Sequence, residues 1–322
     1  MEDLTPTPLP AADWLRVIES EYLTEFLPAG GAALRIAVMP THAIPAMPGR
    51  LAALARAHGM HPVAIDAATT RLHMPQDVFF ALARALPWPA MTQSFLEALC
   101  ESNGYPWPRP GQSLSRAALA AALEIAPPLL NSQLNTWLTR AIWRDRAYAQ
   151  DFRAALLALA AGALDGDTAA ASAARAWLAG EKAPPASLRA AGIGGRINRA
   201  NARAMLIGLC HWVRAAGATG LLVSLDARRL HQPGPAPEGS LRYSPAAVMD
   251  TYEVLRELID DAEHLPGLLV VVLADSAMIG GEPRRALDQY DALRMRVWPD
   301  VRPGEGQNPV APLVWVSLWV SP

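Results

Sequence analysis

Lysine is almost missing from this chain of 322 residues: Lys182 stands alone, and every other formal cation is an arginine. The wealth of Ala, Pro and Arg fits a GC-rich genome, so much of the bias reads as mutational. Its chemical consequence holds all the same wherever a reaction needs a flexible ammonium group. Cysteine is nearly as scarce. Cys100 and Cys210 cannot alone supply a structural zinc site, do not suggest a secreted disulfide framework, and read as buried thiols. An excess of one charge is also lacking: Lys+Arg 28 against Asp+Glu 30 leaves a net charge of -2, so no global basic field holds the molecule on nucleic acid or an acidic membrane. Long apolar runs are absent. The most continuous one, Leu268 to Ala274, is too short to span a bilayer, and the start MEDLTPTPLPAADW is acidic and not apolar, so a cytoplasmic protein without membrane contact is expected. The 22 glycines and 29 prolines show no period, which excludes a collagen-like chain, and 52% hydrophobic with 18% charged residues excludes a disordered one.

What is present is a globular chain long enough for two domains or one enlarged α/β domain, at a prior of about 150 residues per domain. An amphipathic segment from Asp13 to Phe26 precedes the turn Pro28-Ala29-Gly30-Gly31, which leads into a buried strand at Leu34 to Met39. After the Pro-rich loop PTHAIPAMPG, RLAALARAHG has helical spacing and ends at Gly59, and VAID reads as a second short strand. Helical patterns over Gln76 to Leu86, SRAALAAALEIA and Leu129 to Gly162 predict an all-helical insert. A further helix, Ala169 to Ala179, is followed by the exposed linker GEKAPPASL and a helix from about Ile197 to Ala216. LLVSLD, closed by Asp226, has the unbroken apolar character of a central parallel strand. A helix from Pro245 to Glu263, a strand in LLVVVLAD and a last one in VAPLVWVSLWV bring the count to five strands.

Strands alternating with helices predict a parallel, doubly wound α/β sheet, with ligands outside the strand carboxyl ends among Pro40 to Gly49, Asp226 and Asp275-Ser276. The sequence divides into 1–90, the first part of this core; 91–187, the helical insert and linker; and 188–322, the second part of the core.

Strand, loop and helix, then a later strand ending in Asp, is the layout of a P-loop ATPase, but the chemistry is missing. Such a site needs glycine-rich backbone that curls its N–H groups around phosphate, a lysine, and a Ser/Thr hydroxyl on magnesium. Pro40, Pro45 and Pro48 have no N–H, while Ala43, Ile44, Ala46 and Met47 bring neither charge nor hydroxyl. Arg50 is the one cation near enough to touch an anion, although an arginine in the first turn of an amphipathic helix is usually solvated. In LDARRL, Ala227 and Arg228 stand where such ATPases carry an acidic residue to polarise water, so a general base is lacking. Asp226 then reads more readily as a turn or cap carboxylate than as a magnesium ligand, and Arg228 and Arg229 as surface cations or partners of a carboxylate.

The stretch AGIGGRINRANARAMLIGLCHWVRAAGATGLLVSLD, the later YEVLRELID and EPRRALDQYDALRMRV resemble, in this order, the BREX-system ATP-binding protein family, the BrxD-like AAA+ proteins of bacterial phage defence. FLPAGGAALRIAV and RLAALARAHGMHPVAID are similar, more loosely, to the family's approach to its Walker A loop and the helix and strand behind it. The resemblance implies a P-loop (AAA+)-like sheet and a degenerate member, because the family's GxxGxGK[ST] is replaced by text around PTHAIPAMPG. It leaves Asp226 as a remnant of Walker B, Ser276 as a remnant of a sensor residue, and Arg284 or Arg285 as candidate interface arginines beside Asp288 and Asp291.

His42, His58, His61 and His73 lack metal-ligand spacing. Arg140, Arg144 and Arg146 with Trp137 and Trp143, and Arg189, Arg196, Arg199 and Arg203, form two basic groups that read as solvated helix faces or, for Arg199 and Arg203, as nucleic-acid contacts. The resulting expectation is a non-hydrolysing pseudo-ATPase without bound ATP, magnesium or other metal. It would act by protein contacts in an anti-phage defence assembly, as an oligomer or hetero-complex with an active ATPase paralogue or other defence proteins, and with DNA reached through the complex. The alternatives are an ATPase with a rebuilt or subunit-shared site, using Arg50, and a DNA-binding adaptor.

Overall fold

The computed structural model describes residues 6–109, 111, 115–232, 237–298 and 306–318. The chain forms two compact units, Met1–Val78 with Thr219–Pro322, and Phe79–Ala218. The first unit is built from two separated stretches of chain and the second from one.

The first unit carries a single sheet of six parallel strands: β1 (Leu9–Pro10), β2 (Ala33–Val38), β3 (Met60–Asp66), β4 (Gly220–Asp226), β5 (Leu268–Ala274) and β6 (Leu313–Ser317). Their order is β1-β6-β2-β5-β4-β3. The architecture is α/β and P-loop-like, with β5 inserted between β2 and β4. Burial follows position in the sheet. All seven residues of β5 are buried, as are the first six of β4, because both faces of a central parallel strand are covered. β3 lies at one edge, where Met60, Val63 and Ile65 point inward and Ala64 and Asp66 are exposed, and it tolerates Pro62 for the same reason.

The sheet has one strand more than the five read from the sequence. The extra one is β1, two residues paired with β6 through Leu9 with Val316 and Pro10 with Ser317. Its Pro-rich text carries no strand propensity; a distant segment supplies the partner. The expected helix over Asp13 to Phe26 also differs. It runs as an α-helix, Ala11–Val17, and then widens to a π-helix, Ile18–Leu23. The extra residue per turn lets the neighbours Tyr22 and Leu23 both reach the core.

The second unit is all-helical among its described residues. It is built around Pro75–Ala85 (from Phe79 onward), Trp88–Ser102, Pro127–Leu138, Gln150–Asp165, Thr168–Leu178 and Ala202–Ala215. Phe79, Phe152, Leu159, Trp177 and Trp212 are buried there. The linker GEKAPPASL contains a short helix, Pro185–Ala190, started by a proline whose fixed φ suits a first turn. Cys100 and Cys210 are both buried; burial and then Glu101 push the Cys100 thiol up to about 11, and burial pushes Cys210 up to about 12.

Candidate functional site

The carboxyl ends of β2, β4 and β5 open onto one crevice of the first unit. After β2 the chain does not form an open loop. A turn at Thr41–Ala43 passes directly into a 3-10 turn, Ile44–Ala46, and then the helix Met47–Ala57. The Ala43 N–H donates to Pro40 O at 2.8 Å and the Ala46 N–H to Ala43 O at 3.3 Å, while the Met47 N–H bonds Ile44 O. These donors are spent inside the segment. Ala43, Ile44 and Met47 are 1%, 0% and 0% exposed and belong to the core under the sheet. Glycine is needed where backbone N–H groups curl into a nest, yet among the described residues no position from Pro40 to Arg50 has a left-handed φ. Arg50 is exposed on the helix beyond this segment.

Asp226 ends β4 at the register position beside Asp66 of β3. Its carboxylate is engaged by Arg228. The Arg228 N–H donates to Oδ1 at 3.1 Å, Nε lies 3.0 and 3.1 Å from the two oxygens, and Nη2 is 2.6 Å from Oδ2. This two-pronged pairing is the strong arginine geometry. Arg228 Nη1 also reaches Thr41 O at 3.4 Å. The hydrogen bond from Asp226 raises the Arg228 guanidinium above its ordinary value against the cost of burial, with help from Asp66 and Asp275. Thr41 Oγ1 in turn donates to Asp275 Oδ2 at 3.1 Å, and Asp275 Oδ1 caps the Ala277 N–H at 3.1 Å. Ser276 is exposed at the start of the single turn Ala277–Gly280. Ala227 is buried and offers no acid. The crevice is thus closed upon itself: its carboxylates, its threonine and its arginine pair with one another.

Beneath it lies a buried polar group that sequence reasoning missed. His231, 2% exposed, lies 2.8 Å from the Tyr252 hydroxyl, which donates to Arg285 O at 2.8 Å. Since the hydroxyl proton is used on Arg285 O, the imidazole Nε2–H must be the donor to Tyr252, and Nδ1 is left without a partner. Burial first, and the Arg285 charge with it, push His231 down to about 4 against the opposing pull of Asp275. Nothing in the local text around His231 signals this, because Tyr252 and Arg285 come from distant helical and loop segments.

Of the other residues singled out from the sequence, Arg285 is 8% exposed and pairs with Glu282 Oε2 at 2.7 Å and Leu230 O at 3.0 Å, while Arg284 is exposed. Arg229, which reads from the sequence as a surface cation or carboxylate partner, is neither: it is 7% exposed and donates to Leu241 O at 2.7 Å. Arg199 and Arg203 are exposed in the second unit. His58 Nε2 lies 2.9 Å from Glu19 Oε1, and His73 meets the Tyr243 ring edge-on at 5.6 Å. Among the described residues no group of three His, Cys, Asp or Glu is placed to hold a metal ion, and no helix is long and apolar enough to cross a membrane.

A family model described as BREX system ATP-binding protein BrxC/D matches residues 128–317. No curated protein and no solved structure matches the chain.

Proposed function

Because the chain belongs to the BREX system ATP-binding protein BrxC/D family, we propose that it serves a bacterial anti-phage defence assembly as a subunit that keeps the P-loop-like sheet, does not hydrolyse ATP, and works through contacts with other proteins. The observation that supports this is the filled cradle. To seat a triphosphate after β2, the 3-10 turn would have to unwind and release Ile44 and Met47 from the core. Exposing two such side chains costs about 3–6 kcal/mol, at 1.5–3 each, which removes roughly two to four powers of ten in affinity. Arg228 adds to this by holding a positive charge against Asp226, where a family ATPase would hold its magnesium. An active ATPase paralogue or another defence protein is the partner this reading expects, in an oligomer or hetero-complex.

The test is direct. Purified protein given ATP and magnesium is expected to show no calorimetric binding signal, no rise in melting temperature and no phosphate release above background. ATP hydrolysis abolished by Asp226→Ala would overturn the reading.

A further inference from the structure

The charge of this molecule is distributed unevenly. From Lys182 to Leu225 the chain carries Lys182, Arg189, Arg196, Arg199, Arg203 and Arg214 and not one carboxylate, although the net charge is -2. Lys182, Arg189, Arg196, Arg199 and Arg203 are all exposed. The same stretch forms much of the wall of a cavity of about 680 Å³ within the second unit, where Lys182 and Arg196 face the space together with Phe80, Trp177, Leu188 and Ile197. That volume is in the range of small-molecule sites. The only lysine in the chain is therefore at a cavity mouth, beside an arginine and an aromatic wall.

The segment 192–201 that presents these cations has no regular secondary structure, yet it is tightly held. Asp151 accepts from the Gly194 and Gly195 N–H groups at 3.0 Å each, so its carboxylate is spent on backbone. Trp177 Nε1 donates to Gly195 O at 2.8 Å, and Asn201 both accepts from the Asn198 N–H at 2.8 Å and donates to Arg196 O at 3.0 Å. A loop fixed in this way loses little conformational freedom when a ligand arrives. Asn201 uses its side chain on the loop, so no side chain caps the helix Ala202–Ala215 that follows. The positive end of that helix dipole adds to the field of Arg199 and Arg203.

We propose that this face of the second unit binds single-stranded nucleic acid, with phosphates along Arg196, Arg199 and Arg203 and one unpaired base in the cavity beside Lys182 and Phe80. Two features favour it. A row of exposed cations without intervening carboxylates matches a polyphosphate backbone, and a cavity with an aromatic wall suits a splayed-out base, which a duplex keeps stacked inside itself. An acidic protein surface would satisfy the cations but leave the cavity empty. The inference rests on the second unit alone and is independent of whether the crevice of the first unit binds ATP.

The experiment uses the full chain and fluorescence anisotropy with a short labelled oligothymidylate, titrated at several salt concentrations. Binding that weakens with salt is expected. Lys182→Ala with Arg196→Ala should weaken it roughly tenfold or more and lower the slope of log K against log salt by about 1.4, at about 0.7 per lost phosphate contact on a single strand. Arg199→Ala with Arg203→Ala should do the same, a second pair that serves if the first changes the melting temperature. Arg16→Ala, whose side chain is 76% exposed in the other unit, should change nothing. Unchanged affinity and slope in both double variants, equal binding of a duplex, or displacement by polyglutamate as effective as by unlabelled oligothymidylate would each overturn the proposal.

Discussion

His231 shows how one side chain acquires a property its neighbours in sequence do not predict. An imidazole in water takes its proton near pH 6.5, whereas His231 in the fold is pushed down to about 4, by burial first and then by Arg285. Between those two values the unfolded chain binds more protons than the folded one, so stability is complete above about pH 6.5, falls as the pH drops toward 4, and levels off below it. The loss amounts to on the order of 3 kcal/mol if the full shift is realised. Urea midpoints measured at neutral pH and near pH 5 should therefore diverge. In His231→Phe this part of the pH dependence is expected to vanish, even though the lost bond to Tyr252 lowers stability at both pH values. A wild-type slope retained in the variant would assign the acid sensitivity to other groups.

Between elements, the crevice is held by side chains that bridge strand ends. Arg228 follows β4 but reaches Thr41 behind β2, and Thr41 bonds Asp275 behind β5. With side-chain exposures of 26% and 13%, the Arg228–Asp226 pair is neither a surface ion pair nor a fully buried one. Arg228→Ala would leave Asp226 beside Asp66 and Asp275 with no cation between them. A cost of about 1–2 kcal/mol is expected, between the two limits, and Asp226→Asn in the same chain should recover most of it. Thermal melting of the single and double variants measures the coupling. A double variant no more stable than Arg228→Ala would mean that the arginine acts by packing and not by charge. A different constraint fixes the base of the same strand: a Cβ on Gly220 would lie 2.0 Å from Gly267 O, so this glycine is required by the close approach of two backbones.

The long central strands and most helices were legible in the sequence because their signals are local. LLVSLD and LLVVVLAD are apolar without interruption, which only a strand covered on both faces sustains, and they are β4 and β5. The emptiness of the phosphate loop was legible for the same reason, since proline and alanine carry their chemistry wherever they lie. What could not be read was partnership. β1 exists because β6 pairs with it, the π-helix exists because Tyr22 and Leu23 must both face inward, and Arg229 is buried because Leu241 O waits for it.

The whole molecule divides into a discontinuous sheet unit and a continuous helical one, Phe79–Ala218. The sequence suggested breaks at 90/91 and 187/188; the compact units break at 78/79 and 218/219, so the helix Ala202–Ala215 packs with the helical unit. Trp212 of that helix lies 4.6 Å, ring to ring, from Phe95. A continuous unit with its own aromatic core should fold alone: a fragment spanning Phe79–Ala218 is expected to give a helical circular dichroism spectrum and a cooperative melt. A non-cooperative melt would show that the sheet unit is needed to complete its core. By itself the sequence determined the α/β class, the run of central strands and the absence of a glycine cradle, because burial on both faces and the backbone chemistry of proline are properties of short segments. Only the tertiary structure decided that the vacant chemistry is filled from within, by Arg228 on Asp226 and by Ile44 and Met47 in the core. Those contacts join residues far apart in the chain, or aim near neighbours at one another in a way that spacing alone does not fix.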